Sequence, residues 1–173
     1  MSFIRIDPGN ARCGLAALRK DGAGRLTLSM RKTLIRTRAV DVRAAVESLV
    51  ATFDLGDDDL VAIEDQLLGP NPHTMAKIVE ARTRWLQEFE SAGIRVVLVA
   101  PQTWSSATVI RMPTRLGPVK GNSPREVRKL GAIAWAKAAY GLAESEGDDV
   151  AEAVAISHWA AYRGEAAYSQ RVA

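Results

Sequence analysis

Four carboxylates in this chain could do chemistry together: Asp7, Glu64, Asp149 and Glu152. Asp7 follows the apolar-rich stretch Phe3-Ile4-Arg5-Ile6 and precedes Pro8-Gly9-Asn10, whereas Glu64 ends the run Leu60-Val61-Ala62-Ile63. Asp149 and Glu152 are three apart, which puts both on one face of a helix. Asp148, four before Glu152, could share that face, so spacing alone leaves the choice between Asp148 and Asp149 open. Like charges a few ångströms apart repel, and they protonate or splay unless a cation compensates them. A hard divalent ion does this, and Mg²⁺ takes carboxylate and water oxygens. Two such ions ~3.5–4 Å apart can activate a water and stabilise the leaving oxygen in phosphodiester hydrolysis. With two histidines and one cysteine in the chain, Mg²⁺ or Mn²⁺ is favoured over zinc.

Each acid also has a plainer role open to it. Asp7 can open a turn, Glu64 with Asp65 can form a solvated strand end, and Asp149 and Glu152 can stabilise a helix N-terminus through its dipole. His73 reads as a helix-start residue, and His158 as the edge of a core rather than a metal ligand. The charge layout bears on the choice. Between Ser105 and Tyr140 lie Arg111, Arg115, Lys120, Arg125, Arg128, Lys129 and Lys137, opposed only by Glu126. Directly after them come Glu144, Glu146, Asp148, Asp149 and Glu152. A cationic arm beside an anionic cluster could hold a polyanion near metal-binding carboxylates. The same layout also describes two solvated helix faces.

The elements that must position these residues follow from pattern and punctuation. Phe3 to Asp7, Cys13 to Leu18 and Leu26 to Met30 read as strands joined by the turns Asp7-Pro8-Gly9-Asn10 and Asp21-Gly22-Ala23-Gly24, an antiparallel meander. Asp41 is expected to cap a helix to about Phe53, with Val42, Val46, Leu49, Val50 and Phe53 at helical spacing. Leu60 to Ile63 forms a fourth strand ending at Glu64, His73 to Ala92 a long helix closed by Gly93, and Val96 to Val99 a fifth strand stopped by Pro101. Pro113, Gly117, Pro118 and Gly121 predict an irregular loop. Ser123-Pro124-Arg125-Glu126 is a capping box opening a helix to about Tyr140, and a final helix runs from about Asp148 to Tyr162. Three antiparallel strands followed by αβαβ units predict a mixed five-stranded sheet, the last two strands parallel, with helices on both faces. Neighbouring parallel strands would bring Asp7 and Glu64 to one carboxyl edge, where open α/β sheets build sites.

The 173 residues are expected to form one domain, 1–173, and 47% hydrophobic content suffices for a core. One cysteine excludes an internal disulfide and fits a reducing, cytoplasmic setting. No apolar run reaches the ~20 residues of a membrane helix, and the opening residues lack the layout of a secretory signal. A net charge of +3 is too small to prove a nucleic-acid partner.

Several ordered segments together resemble the RuvC family of Holliday-junction resolvases, within the ribonuclease H-like superfold. Ile6-Asp7-Pro8-Gly9-Asn10-Ala11-Arg12-Cys13-Gly14 is similar to that family's opening strand and turn, and Val61-Ala62-Ile63-Glu64 to its second acidic strand. Asn71 and Lys77-Ile78-Val79-Glu80-Ala81-Arg82 are similar to the asparagine and helix that follow. Val99-Ala100-Pro101-Gln102-Thr103-Trp104 resembles the strand and proline before the basic arm, and Asp149 to His158 the closing helix with its two last acids. The resemblance implies a Mg²⁺-dependent endonuclease, with Mn²⁺ substituting and two ions per site, that acts as a homodimer on branched DNA without a nucleotide cofactor or a membrane. It implies Asp7, Glu64, Asp149 and Glu152 as catalytic metal ligands, favouring Asp149 over Asp148, and it implies action at the nucleoid.

The sequence departs from the family in three places. Glu152 stands where the family usually has aspartate. Leu67 and Leu68 stand where well-known members carry an aromatic that helps open the junction, and an aliphatic wedge can unstack bases but cannot stack as a ring does. The arm formed by Arg111, Arg115, Lys120, Arg125, Arg128 and Lys129 is arginine-rich and aligns loosely with the family's lysines. A branch or flap nuclease, an RNA-processing nuclease of the same fold and a nonenzymatic DNA-binding module are the alternatives. An actin-like ATPase would need a second domain and a glycine motif for adenosine.

Overall fold

The computed structural model describes residues 1–6, 12–35, 42–65, 71–105, 124–143 and 146–172. Asp7, Leu67, Leu68, Arg111, Arg115 and Lys120 lie outside these residues, as do the cap at Asp41 and the loop with Pro113 and Pro118.

Strands β1 (Ser2–Ile6), β2 (Arg12–Lys20) and β3 (Leu26–Ile35) form the meander, followed by α1 (Val42–Phe53), β4 (Leu60–Glu64), α2 (Pro72–Ser91) and β5 (Arg95–Val99). The strand order is β3-β2-β1-β4-β5. β1 is antiparallel to β2 and parallel to β4, and β4 is parallel to β5, as the order of elements predicts. β2 and β3 are longer than the hydrophobic pattern alone marks. Their ladder absorbs one extra residue between Ala17 and Leu18, where the Ser29 hydroxyl donates to the Ala17 carbonyl at 3.0 Å.

Strand alternation divides the core in two. Ile4, Ile6, Leu15, Ala17, Val61, Ile63 and Val96 face α1 and α2, packing with Val46, Leu49, Trp85 and Phe89. Phe3, Ala16, Leu18, Leu60, Ala62, Val97 and Val99 face the C-terminal helices. Those are the short α3 (Pro101–Ser105), α4 (Pro124–Tyr140), α5 (Asp148–Trp159) and α6 (Glu165–Val172). A purely apolar, alanine-rich run, Ala151 with Ala153 to Ile156, lets α5 lie close against the sheet with every one of these residues buried.

Around the helices, three boundaries depart most clearly from the pattern reading. Helix α2 begins one residue earlier, at Pro72, because the Asn71 side chain caps it, accepting from the His73 and Thr74 amides at 3.1 and 3.3 Å. Its other end closes as expected, the Gly93 and Ile94 amides reaching the Glu90 and Phe89 carbonyls. Pro101 stops β5 and also opens α3, proline being well suited to a first helical position. The last helix does not end at Tyr162 but passes through a π turn, Ala160–Gly164, into α6. A side chain at Gly164 would meet the Leu60 Cδ2 at 2.2 Å, so a larger residue where this turn crosses β4 would force Leu60 into another rotamer. No helix among the described residues is long and apolar enough to cross a membrane.

Candidate active site

Glu64 and the start of α5 meet at the carboxyl end of β1 and β4. Parallel pairing sets Arg5 level with Ala62 and Ile6 level with Ile63, so Glu64 lies one residue beyond the level of Ile6. Alternation from Leu60 and Ala62 turns Glu64 toward the α5 side. Glu64 is buried, 8% exposed, and is therefore not a solvated strand end. Its neighbour Asp65 takes that role, half-exposed and ion-paired with Arg82.

Burial of a carboxylate demands partners, and two are in place. The Arg5 Nη2 donates to Glu64 Oε2 at 3.0 Å, and the Trp104 indole Nε1 donates to Oε1 at 3.3 Å. Arg5 also reaches α5, its Nη1 donating to the Asp149 main-chain carbonyl at 3.2 Å. One guanidinium thus ties the fourth strand to the first turn of the helix that bears Asp149 and Glu152. Both of these acids are half-buried.

The helix can come this close because β2 carries Gly14. A Cβ there would stand 2.2 Å from the Asp149 carbonyl oxygen and 3.1 Å from the Arg5 Nη1. The α5 N-terminus is preceded by Gly147, which offers no side-chain cap. The four leading amides of a helix lack partners within it and favour negative charge, which suits acids in this first turn.

Sequence reasoning singles out the acids and passes over Arg5 and Trp104. A signal for Arg5 does exist: it is the one charge in Phe3-Ile4-Arg5-Ile6, a strand buried along its whole length, and a charge in such a strand needs an internal partner. Trp104 carries no comparable signal, because its role depends on a short helix that follows a proline.

The acids offer the oxygen donors a hard divalent ion takes, so the donor chemistry fits such an ion. Among the described residues, however, no three carboxylate, histidine or cysteine side chains stand close enough to enclose one. His158 does not contribute. Its Nδ1 lies 2.6 Å from the Tyr140 hydroxyl and its ring packs edge-on against Trp135 at 4.9 Å, nine residues and about 13 Å along α5 from Asp149 at ~1.5 Å per residue. It is half-buried at a core edge, as its place in the sequence suggests. Burial, with the neighbouring Tyr162, holds the Tyr140 hydroxyl well above the ordinary tyrosine range.

Of the cationic arm, Arg125, Arg128 and Lys129 fall on α4. The backbone of all three is described, Lys129 is half-buried, and the side chains of Arg125 and Arg128 lie outside the described set, as does that of Asp148. The described residues therefore bring Glu64, Arg5, Trp104 and the main chain of Asp149 at the start of α5 to one corner.

No protein-family model matches the chain. Over 95 residues, 51% of its length, it is 30% identical to the crossover junction endodeoxyribonuclease RuvC of Aliarcobacter butzleri, and that match spans 62% of the relative. Thermus thermophilus RuvC in complex with a Holliday junction substrate superimposes with a TM-score of 0.70 at 19% identity, covering 97% of this chain and 98% of that one. A second structure of Thermus thermophilus RuvC gives 0.67 at 21% identity, with 96% and 98% covered. The yeast mitochondrial Holliday junction resolvase Ydc2 gives 0.55 at 12% identity, with 96% and 80% covered. The resemblance to the RuvC family seen in the ordered motifs thus extends to the architecture, and the chain has the RuvC fold, a mixed five-stranded α/β fold of the ribonuclease H-like kind.

Proposed function

We propose that this protein is a RuvC-type endonuclease that resolves four-way DNA junctions by metal-dependent phosphodiester hydrolysis. The observation that carries the reading is the corner where buried Glu64 meets the first turn of α5, at the strand ends where this fold builds sites. Glu64, Asp149 and Glu152, with Asp7 after β1, would hold Mg²⁺ or Mn²⁺, two ions per site. Such ions supply an activated water and offset the charge that builds on the phosphate. Arg5 and Trp104 hold Glu64 in one orientation, so the site is organised before substrate arrives. Arg111, Arg115, Lys120, Arg125, Arg128 and Lys129 would grip the DNA backbone without reading bases, and Leu67 and Leu68 would wedge the junction centre.

The deciding experiment is cleavage of labelled four-way junction, flap and duplex DNA in Mg²⁺, Mn²⁺ or EDTA. Paired symmetric cuts in junctions, abolished by EDTA, are expected. Cutting confined to flaps would replace the reading with a branch nuclease, and binding without cutting in either metal would replace it with a DNA-binding module.

Position 152 gives a further expected outcome. Glutamate reaches one methylene further than aspartate, and Mg²⁺ requires near-octahedral geometry at about 2.0–2.1 Å, which a longer arm meets through another rotamer or a bridging water. Glu152→Gln should be severely impaired, while Glu152→Asp should retain substantial activity, measured as rates at saturating Mg²⁺ and Mn²⁺. Wild-type cleavage by Glu152→Gln in both metals would remove Glu152 from the site and direct attention to Asp148.

Phosphate contacts release condensed counterions. Replacing Arg125, Arg128 and Lys129 together with alanine should weaken junction binding and flatten the plot of log affinity against log salt by about two to three units, at ~0.9 per phosphate contact. An unchanged slope would mean that α4 faces away from the DNA.

A homodimer would place two sites symmetrically for paired cuts. Helix α2 supports this in part: Met75, Trp85 and Phe89 are buried in the core, Ile78 and Leu86 are half-buried, and Val79 remains 38% exposed. Sedimentation at micromolar concentration should give twice the 18.7 kDa chain mass. A monomer even on junction DNA would favour single-cut flap chemistry.

A further inference from the structure

The start of α5 has no side-chain cap of its own, so what fixes it must come from the sheet beneath. The ladder register puts two arginines in one row there. Arg5 on β1 is level with Ala16 on β2, and Ala16 is level with Arg31 on β3. Residues directly opposite one another share a face. Both arginines therefore stand on the α5 side, their backbones about 10 Å apart at ~4.8 Å per strand, with the small Ala16 side chain between them. Gly14, two residues along β2 from Ala16, is where the Asp149 carbonyl comes down on the sheet. Arg5 holds that carbonyl from the inner side. On the outer side Arg31 is ion-paired with Oε1 of Glu146, while Oε2 accepts from the Ala143 amide at 2.7 Å. Glu146 is thus held at both oxygens. The next residue is Gly147, whose carbonyl accepts a helical hydrogen bond from the Ala151 amide at 3.3 Å.

We propose that Arg31, acting through Glu146, is a positioning residue for cleavage: it sets where α5 begins and, with Arg5, fixes the backbone that bears Asp149 and Glu152 relative to Glu64. The assignment rests on the reading of this corner as a nuclease site. The Arg31–Glu146 pair is partly exposed, at 37% and 20% of the two side chains, and pairs of that kind add little to the stability of a fold. Its effect is therefore on placement. Arg5 grips one end of the first turn from inside the core, and Arg31 stops the segment before it from swinging outward past the edge strand.

The test combines single-turnover cleavage at saturating protein with hydrogen exchange of the Ala151 amide in DNA-free protein. Glu146→Gln keeps the shape and an oxygen for the Ala143 amide but loses the ion pair. Arg31→Met keeps an apolar stem and loses the charge. Each should slow cleavage about tenfold, a fraction of the ~10²-fold that an ångström of misplacement costs. Junction affinity should stay within about twofold of wild type and melting temperature within about 4 °C. Each variant should also speed exchange at Ala151 about tenfold, because the first turn opens more often. The double variant should be no slower than either single one, since both remove the same interaction. Arg31→Lys keeps the charge and should recover most of the rate. Unchanged exchange at Ala151 in both single variants would overturn the assignment, and so would additive losses of rate. Weakened junction binding by Arg31→Met alone would make Arg31 a phosphate contact and overturn it as well. Failure of the nuclease reading is distinguishable: wild type would then cut no junction, even though exchange at Ala151 followed this pattern.

Discussion

Glu64→Gln should abolish junction cleavage and also lower the stability of the fold. The substitution keeps the shape of the side chain and leaves an oxygen to accept from Arg5 or Trp104, which donate at 3.0 and 3.3 Å. What it removes is the charge opposite a fully buried guanidinium. Breaking a buried ion pair by deleting one partner costs about 3–5 kcal/mol, and the surviving hydrogen bonds should hold the loss to the lower end of that range. For a domain of this size ~3 kcal/mol corresponds to a fall in melting temperature of roughly 6–12 °C. Catalysis should fall by at least about 10²–10³-fold, the loss that removal of one preorganised electrostatic group brings. Melting curves and single-turnover cleavage on one preparation check both parts. Wild-type cleavage by a folded Glu64→Gln would take Glu64 out of the chemistry, and an unchanged melting temperature would mean that Arg5 does not depend on it.

Gly14→Ala should be nearly as damaging although it alters no functional group. The new methyl carbon would lie 2.2 Å from the Asp149 carbonyl oxygen and 2.7 Å from its carbon. Both are backbone atoms in the first turn of a helix packed along its length, so neither can rotate aside as a flexible side chain would. The turn must shift by about an ångström, and overpacking of this kind costs about 1–3 kcal/mol. A misplacement of ~1 Å at a reacting centre costs about 10²-fold in rate, and here it would move Asp149 together with the anchor of Arg5. The expected result is a folded protein, a few degrees less stable, that binds junctions normally and cuts them about a hundredfold more slowly. Wild-type stability and cleavage together would mean that α5 starts further from β2 than a 2.2 Å approach implies.

The places of Glu64, Asp149 and Glu152 were legible in the sequence because each lies at an element boundary that local pattern marks: Glu64 at the end of an unbroken apolar run, Asp149 and Glu152 at the start of a helix. The strand directions followed from the meander and the two αβ units, since short turns enforce antiparallel neighbours and helical crossovers enforce parallel ones. What could not be read was anything set by a contact between distant segments. Trp104 meets Glu64 only because α3 folds back over the sheet. Arg5 signals a partner but not which one. The π turn at Ala160–Gly164 lies where Gly164 packs against Leu60, a contact that no local periodicity encodes. Glycine 14 looks like an ordinary weak point in a strand until the helix above it is known.

The bonds that join the corner also decide when it can exist. Arg5 and Glu64 are 59 positions apart, Glu64 and Trp104 are 40, and Arg5 and Asp149 are 144. Contacts of such separation form late, because long loops must close before they are rewarded. During synthesis the first strand and Arg5 emerge at the outset, yet Asp149 is added only after most of the chain has left the ribosome. A nascent or truncated chain that lacks α5 cannot assemble the corner. The corner is therefore assembled only as the last long helix docks, and any activity built on it must wait for that step.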